Sequence, residues 1–477
     1  MAHMSPSLVA IVLAAGKGTR MKSERPKVLF EVADKALVSW SVDAVTAAGC
    51  SDVVVVVGHG GDAVRAHLAT RHPGARTAVQ AEQKGTGHAV MMALPALAAV
   101  DDSAAVVVVC GDTPFITTEA IAALVAARGD APMALWTTHL ARPTGYGRIV
   151  RDACGHVCGI VEEKDANAAE KAITEINPGV YAFAAGFLRA SLARLTTKNA
   201  AGEYYLTDLV QIAATSDAGA APRVNSVAVD AAITEGINDR VQLAAAEARM
   251  RDTIVERHMR AGVSFILKDT IFVGADVALG ADTVVEPHAS LRGRTVVGSG
   301  VVVGHGAVVR DSVVDDGVAI HAYSHLERCR VQRAAVVGPF ARLRPEADVG
   351  EGAHVGNFVE LKKTRLGKGS KANHLAYLGD AEIGAGVNVG AGTITCNYDG
   401  VGKYQTTLHD GVFVGSNSTL VAPIVVGEGA YVAAGSVVTE DVPADAIAFG
   451  RARQENKPGR AAALRTKNAA RAGKAKR

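Results

Sequence analysis

Aromatic residues are scarce in this chain. Phe, Trp and Tyr together make up 4% of it, and only two are Trp. Gly, in contrast, numbers 50. That balance points to turn-rich coils packed with Val and Ala. The six Cys are scattered, which excludes a disulfide framework and fits a reducing compartment. No apolar run approaches a membrane span and no signal-like start is present, so a soluble, cytoplasmic protein is expected. The opening Met1-Ala2-His3-Met4 reads as an expression leader before a second Met and is set aside. Charge of one sign is also lacking: the net value of +2 says little about partners. The tail from Lys457, with Arg460, Arg465, Lys467, Arg471, Lys474, Lys476 and Arg477, carries no acid. With no aromatics interleaved, that tail reads as a solvated, disordered end rather than a nucleic-acid arm. At 477 residues the chain is too long for one core.

The second half beats with a period of six. Val273, Leu279, Val285, Leu291, Val297, Val303 and Val309 follow one another without a miss. The register slips by one residue and resumes at Val314, Ile320 and Leu326. It then runs through Val337, Leu343, Val349, Val355 and Leu361, and through Val414, Leu420, Val426, Val432 and Val438. Neither a helix nor an alternating strand has this period. Hexapeptide repeats mark a parallel β-helix, in which each six-residue piece forms one flat side of a coil and one aliphatic per side points inward. Between Cys396 and Gly411 the rhythm stops for a loop long enough to be functional.

The first half alternates strand-like and helix-like stretches, as in an α/β domain with a parallel sheet. Val9–Leu13, Val53–Val57 and Val106–Cys110 are strand candidates. Ile121–Arg128 reads as a helix with Thr117 or Thr118 as its N-cap. From Asn238 to about Arg260 the chain has no Gly or Pro, and a long helix joining the halves is expected. The expected organisation is an α/β nucleotide-binding domain over 5–237, a linker helix over 238–262, a β-helix over 263–456 and the tail over 457–477.

Ile11-Val12-Leu13-Ala14-Ala15-Gly16-Lys17-Gly18-Thr19-Arg20-Met21 is a strand running into a Gly-rich, basic loop. Such a loop lets backbone N–H groups approach phosphate oxygens, and Arg20 adds charge. It is neither a Walker A loop nor G-x-G-x-x-G, and alone it fits a plain strand exit equally well. Arg25-Pro26-Lys27 brings a second cation. Cys110-Gly111-Asp112 closes a strand where open α/β sheets bind ligands, so Asp112 is placed either to hold Mg²⁺ between phosphates or to cap a turn. Cys154, His156 and Cys158 alternate, as if on one strand face, but lack a fourth zinc ligand.

Together, LAAGKGTRM, RPK and GD resemble the sugar-nucleotidyltransferase signature. Gln80–Ala89 (QAEQKGTGHA), Thr144–Ile149 (TGYGRI), Ile160–Asp165 (IVEEKD) and Ile176–Gly179 (INPG) fit it too. With the hexapeptide half attached, nearly the whole chain is similar to the bacterial bifunctional N-acetylglucosamine-1-phosphate uridylyltransferases and glucosamine-1-phosphate acetyltransferases. The resemblance implies a Rossmann-like nucleotidyltransferase domain and a left-handed β-helix. It implies that Leu13, Ala14, Ala15 and Gly16 line the uridine nucleotide, with Arg20 and Lys27 near the phosphates. It assigns Gln80, Gly85 and Thr86 to the uracil, Asp112 and Asn238 to Mg²⁺, and Gly147, Glu162 and Asn177 to the sugar. Cys110, before Gly111, stands where many relatives carry Tyr. The region from Gly262 to about Pro287 matches relatives poorly and is read as scaffold.

In the second half, Asn373-His374-Leu375-Ala376-Tyr377-Leu378-Gly379-Asp380 interrupts the repeat with bulky polar groups. A neutral His can take a proton from an attacking amine near pH 7, although a lone His in a β-helix is more often structural. The resemblance assigns the catalytic role to His374. It gives Arg344 and Lys362 the sugar phosphate, and Tyr377 and Asn388 the sugar. It gives Ala391, Asn397, Tyr398, Ser416, Ala434 and Arg451 acetyl-CoA. It also implies a homotrimer through the β-helix, with the Cys396–Gly411 loop reaching a neighbour.

The implied activity is acetylation of glucosamine 1-phosphate with acetyl-CoA, then UMP transfer from UTP to N-acetylglucosamine 1-phosphate. The product would be the activated sugar of cell-wall precursors. The runner-up is a single-activity sugar-1-phosphate nucleotidyltransferase whose β-helix serves assembly or effector binding. A third class, a zinc hydratase on a hexapeptide trimer, needs several His meeting across an interface. Neither a membrane span nor a nucleic-acid partner is expected.

Overall fold

The computed structural model describes residues 7–215 and 223–475. The leader, the first positions of the expected 5–237 domain, and Lys476 and Arg477 lie outside the described residues. The chain divides into two compact units, Met1–Ile254 and Val255–Arg477. The Arg240–Arg260 helix runs across that division.

In the first unit the apolar runs become a ten-stranded sheet. Four strands lie parallel, in the order Arg76–Val79, Asp52–Val57, Leu8–Ala14 and Ala105–Cys110. The last three are Val-rich apolar runs buried on both faces, as central parallel strands must be, while Arg76–Val79 is a partly exposed edge. The rest of the sheet departs from the expected parallel pattern. Tyr181–Ala184 pairs antiparallel with both Ala105–Cys110 and Met133–His139, and the hairpin Gly147–Arg151 with Val157–Val161 extends the edge. The sheet is therefore mixed. Ala10 and Val12 face a core shared with the helices Leu37–Ala47 and Thr118–Arg128. Val9 and Ile11 face another, shared with Thr86–Ala93, Ala185–Leu192 and Asp208–Thr215. Thr117 caps the Thr118–Arg128 helix, its side chain accepting from Ala120 N at 3.2 Å.

The second unit is a prism of short parallel strands in three sheets of eleven, ten and nine strands. Together with its hexapeptide repeats this is a left-handed β-helix. We number the faces by their opening strands: Ser264–Phe265, Phe272–Val273 and Ala278–Leu279. Val273, Leu291, Val309, Leu326, Leu343, Leu361 and Leu378 stack in register down the second face, every one buried. Each such side chain contributes about 1.5–3 kcal/mol over exposure. The slip after Val309 is a coil one residue shorter. Val285 pairs with Val303, and Val303 with Ile320. The loop expected over Cys396–Gly411 is shorter than that: Thr406–Leu408 is back in the third face, where Leu408 pairs with Ile383, and only the stretch between Cys396 and Thr406 leaves the prism. At the start of the prism His258 is buried, with its ring bonded to the Val277 backbone. This helix end caps the first coil, as solenoids require.

The tail expected to be disordered is instead a helix, Arg460–Ala475. Its Ala, Arg and Lys content explains this, since all three rank high in helix propensity. No helix among the described residues is long and apolar enough to cross a membrane.

Candidate functional sites

In the first unit, Leu13, Ala15, Gly16, Gln80, Gly85 and Thr86 line one cavity of about 200 Å³, with Gln83, Ala89 and Glu203 completing its wall. Ala14 is buried beside them. Two segments build the cavity. The Leu8–Ala14 strand ends in the Gly-rich loop, and the 80–86 segment turns into a helix at Gly85. Gly85 has φ +98°, and a Cβ there would lie 2.6 Å from the Tyr204 carbonyl oxygen, so only Gly fits. Gln80 donates to the Gly85 carbonyl at 3.0 Å, and Gln83 donates to that of Ala15. The segment around Glu203 and Tyr204 was missed by sequence reasoning. It is irregular and follows no sequence pattern; the fold ties it to the cavity, with Tyr204 N bonding to the Lys84 carbonyl and Gly87 N to the Tyr204 carbonyl.

The next strand along, Ala105–Cys110, brings Asp112 to the same end of the sheet, since Gly111 N bonds to the Leu13 carbonyl. Asp112, Lys27 and Asn238 converge there. The Lys27 ammonium pairs with Asp112 Oδ2 and donates to Asn238 Oδ1 at 3.0 Å. The two oxygens are thus spaced to share one cation, and hard oxygen donors suit Mg²⁺. Arg20, exposed, follows the left-handed turn at Gly18. Arg240 ties the helix after Asn238 to this loop, its Nε bonding the Met21 carbonyl at 3.2 Å and its guanidinium lying over Phe30.

Gly147, Glu162 and Asn177 form a third group. Gly147 pairs with Asn177 across the sheet, and the Glu162 carboxylate lies against Gly147. Asn177 is buried, donating to the Tyr181 hydroxyl at 2.6 Å and accepting from Gly179 N at 3.0 Å. Burial pushes the Glu162 carboxyl above its ordinary range, against a 3.0 Å bond from Thr207. Burial pushes the Cys110 thiol up to about 12, with Asp112 adding to the effect, so it is a neutral thiol near Gly179. Cys154 and His156 do not share a strand face with Cys158. Their backbone N–H groups wrap Asp152 in a turn, and Cys158 sits in the strand beyond. Among the described residues no cluster of three His, Cys, Asp or Glu could hold a metal ion.

In the second unit, His374 ends the strand Lys371–His374 on the first face and stands exposed at the corner before the second. Its Nδ1 lies 2.9 Å from Asn357 Oδ1 in the preceding coil. A carboxamide oxygen only accepts, so Nδ1 carries the proton and, in the neutral ring, Nε2 keeps its lone pair. The same corner continues down the following coils through Ala391, Ser416, Ala434 and Arg451. Asn417 N bonds to the Ala391 carbonyl at 2.7 Å, Gly435 N bonds to that of Ser416 at 2.8 Å, and Arg451 packs beside Gly435. Four of the residues assigned to acetyl-CoA therefore form one ladder with His374 at its head. Asn388 lies on the first face, paired with Lys371.

Arg344 and Lys362 sit at the next corner, after the second face. Arg344 donates to Glu360 at 3.0 Å, and Lys362 lies 3.8 Å from Asp380. Asn397 donates to the same Asp380 carboxylate. Tyr377 spans the face between the corners: its hydroxyl crowds Gly379, where a Cβ would lie 2.5 Å away. Tyr398 and Lys403 bridge the base of the inserted loop, which Asp399 closes by accepting from Val401 N and Gly402 N. The neighbouring Lys362, by hydrogen bonding and charge, holds the Lys403 amine below its ordinary range. Sequence reasoning missed Asn357, Asp380 and Lys403, because their placement depends on which coil lies next to which. Within one chain, then, the cationic group stands one face away from the imidazole.

The comparisons agree with this two-part layout. A MobA-like NTP transferase domain matches residues 10–207, and bacterial transferase hexapeptide repeats match residues 405–440. The bifunctional protein GlmU of Sorangium cellulosum is 50% identical over 474 residues, covering 98% of each chain. That of Anaeromyxobacter dehalogenans (strain 2CP-C) is 53% identical over 456 residues, 95% of this chain and 92% of the relative. That of Trichlorobacter lovleyi is 47% identical over 452 residues, 94% and 97%. With an NTP transferase domain in one unit, a hexapeptide prism in the other and relatives matched over nearly their whole length, the chain belongs to the bifunctional GlmU family.

Proposed function

We propose that the second unit acetylates glucosamine 1-phosphate with acetyl-CoA and that the first transfers UMP from UTP to the resulting N-acetylglucosamine 1-phosphate. The observation that carries this reading is His374: an exposed imidazole, fixed by Asn357, heading a ladder of small residues on a solenoid that needs neither for assembly. Nε2 takes a proton from the substrate amine as it attacks the thioester. Arg344 and Lys362 hold the sugar phosphate, and Arg451 meets a cofactor phosphate. The loop tip, where Val401 is 95% exposed, and the separation of the two corners support a homotrimer in which a neighbour's cations complete the site around each His374.

In the first unit the sugar phosphate is already a nucleophile, so positioning and charge neutralisation suffice. The cavity holds the nucleoside, Glu162 and Asn177 the sugar, and Arg20 and Lys27 the phosphates. Asp112 and Asn238 would hold Mg²⁺, which supplies neutralisation of the phosphate charge. The reading also places the enzyme in the cytoplasm, making the activated sugar of cell-wall precursors.

The test is a matrix of substrates with the purified full chain. Thiol release from acetyl-CoA requires glucosamine 1-phosphate alone. Pyrophosphate release from UTP requires the N-acetylated sugar phosphate, or all three substrates together. Pyrophosphate without any thiol release would establish the single-activity nucleotidyltransferase instead.

A further inference from the structure

We infer that Lys27 is an internal counter-ion that occupies the cation position between Asp112 and Asn238 in the nucleotide-free protein and must vacate it before a divalent cation enters. The inference rests on the reading of Asp112 and Asn238 as metal ligands. The Lys27 ammonium touches both candidate ligand oxygens, pairing with Asp112 Oδ2 and donating to Asn238 Oδ1 at 3.0 Å. The Lys27 and Asp112 side chains are only 12% and 18% exposed. Without a cation, Asp112 would be a largely buried, unpaired carboxylate, a costly arrangement. Lys27 removes that cost and keeps Asn238, which belongs to a distant stretch of the chain, in contact with the strand end that carries Asp112.

The same contacts bar the metal. A divalent cation and an ammonium repel and compete for the same lone pairs. Lys27 opens the short Lys27–Leu29 turn that follows the Gly-rich loop. Phosphates seated at that loop offer the ammonium a new anionic partner, and its departure uncovers both oxygens. Nucleotide and metal therefore enter together, and by linkage each raises the affinity for the other. Lys27 exchanges one anion for another, so its charge is never left unpaired.

Mn²⁺ binding to the nucleotide-free full-length protein, read as loss of the free-ion signal in electron paramagnetic resonance, tests this. Lys27→Met should bind Mn²⁺ about tenfold or more tightly than the parent, the scale of a charge-assisted bond removed from competition. Lys27→Arg should stay within about twofold of the parent. Adding Asp112→Asn to Lys27→Met should abolish the gain. A Lys27→Met protein that binds no better, while Asp112→Asn still weakens binding, overturns the counter-ion role alone. Binding indifferent to Asp112→Asn overturns the metal reading beneath it. A second measurement needs no variant: labelling of Lys27 by an amine-reactive reagent, mapped by mass spectrometry, should rise at saturating Mn²⁺. Labelling unchanged by Mn²⁺ would contradict the displacement.

Discussion

The His374–Asn357 contact makes a quantitative prediction about acetyl transfer. The perturbation is Asn357→Ala, which removes the acceptor 2.9 Å from Nδ1 and leaves the imidazole free to rotate and to exchange tautomers. A neutral hydrogen bond contributes about 0.5–1.5 kcal/mol. His374 is exposed and Asn357 half-buried, so water replaces part of that bond and the lower half of the range applies. The expected loss in kcat is about two- to fivefold. Removing the base itself by His374→Ala should cost about 10²–10⁴-fold. Because Asn357 acts only through the ring, the double variant should be no slower than His374→Ala alone. Asn357→Asp sharpens the test. A carboxylate beside Nδ1 stabilises the imidazolium, so the acid limb of the pH–rate profile moves to higher pH. Steady-state thiol release from acetyl-CoA, measured from pH 6 to 9 or so, reads the parent and all four variants. If Asn357→Ala slows the His374→Ala background by the same factor as the parent, the two residues act independently and the reasoning fails.

Three further outcomes are expected. Asp112→Asn should depress uridylyl transfer and flatten its Mg²⁺ titration while acetyl transfer is unchanged; an unaltered titration would remove Asp112 from the metal site. Gly85→Ala must place a Cβ 2.6 Å from the Tyr204 carbonyl in a left-handed conformation, so the KM for UTP should rise about tenfold or more, with acetyl transfer again as the control. Glu162 has a carboxyl raised by burial, so the folded state binds more protons than the unfolded one, and stability falls as pH rises from the ordinary carboxylate range through the raised value. Glu162→Gln should therefore raise the Tm of the first unit at pH 8 more than at pH 5, while weakening sugar binding; an equal shift at both values would contradict the burial argument.

Much of this was legible before any coordinates. The six-residue beat placed Val273, Leu291 and Val309 on one buried column because one inward aliphatic per side is a local rule of the coil. The slip after Val309 reappears as a short coil for the same reason. Gly85 and the 80–86 segment were legible as a motif, and the cavity they line is closed by Glu203, which no local pattern announces. The antiparallel Tyr181–Ala184 strand was hidden because a short apolar run does not state its direction. Asn357 was hidden because its partner lies one coil away, and the hydrogen bond exists only once the register is set. The tail was misjudged because its charge argued for solvation, while its alanines and long side chains favour a helix even without a partner.

The division of labour between the two units is tested most directly by one variant read in two assays. His374→Ala should all but abolish thiol release from acetyl-CoA while pyrophosphate release from UTP and N-acetylglucosamine 1-phosphate stays near the parent rate. Equal loss of both activities, or acetyl transfer that survives the substitution, would contradict it.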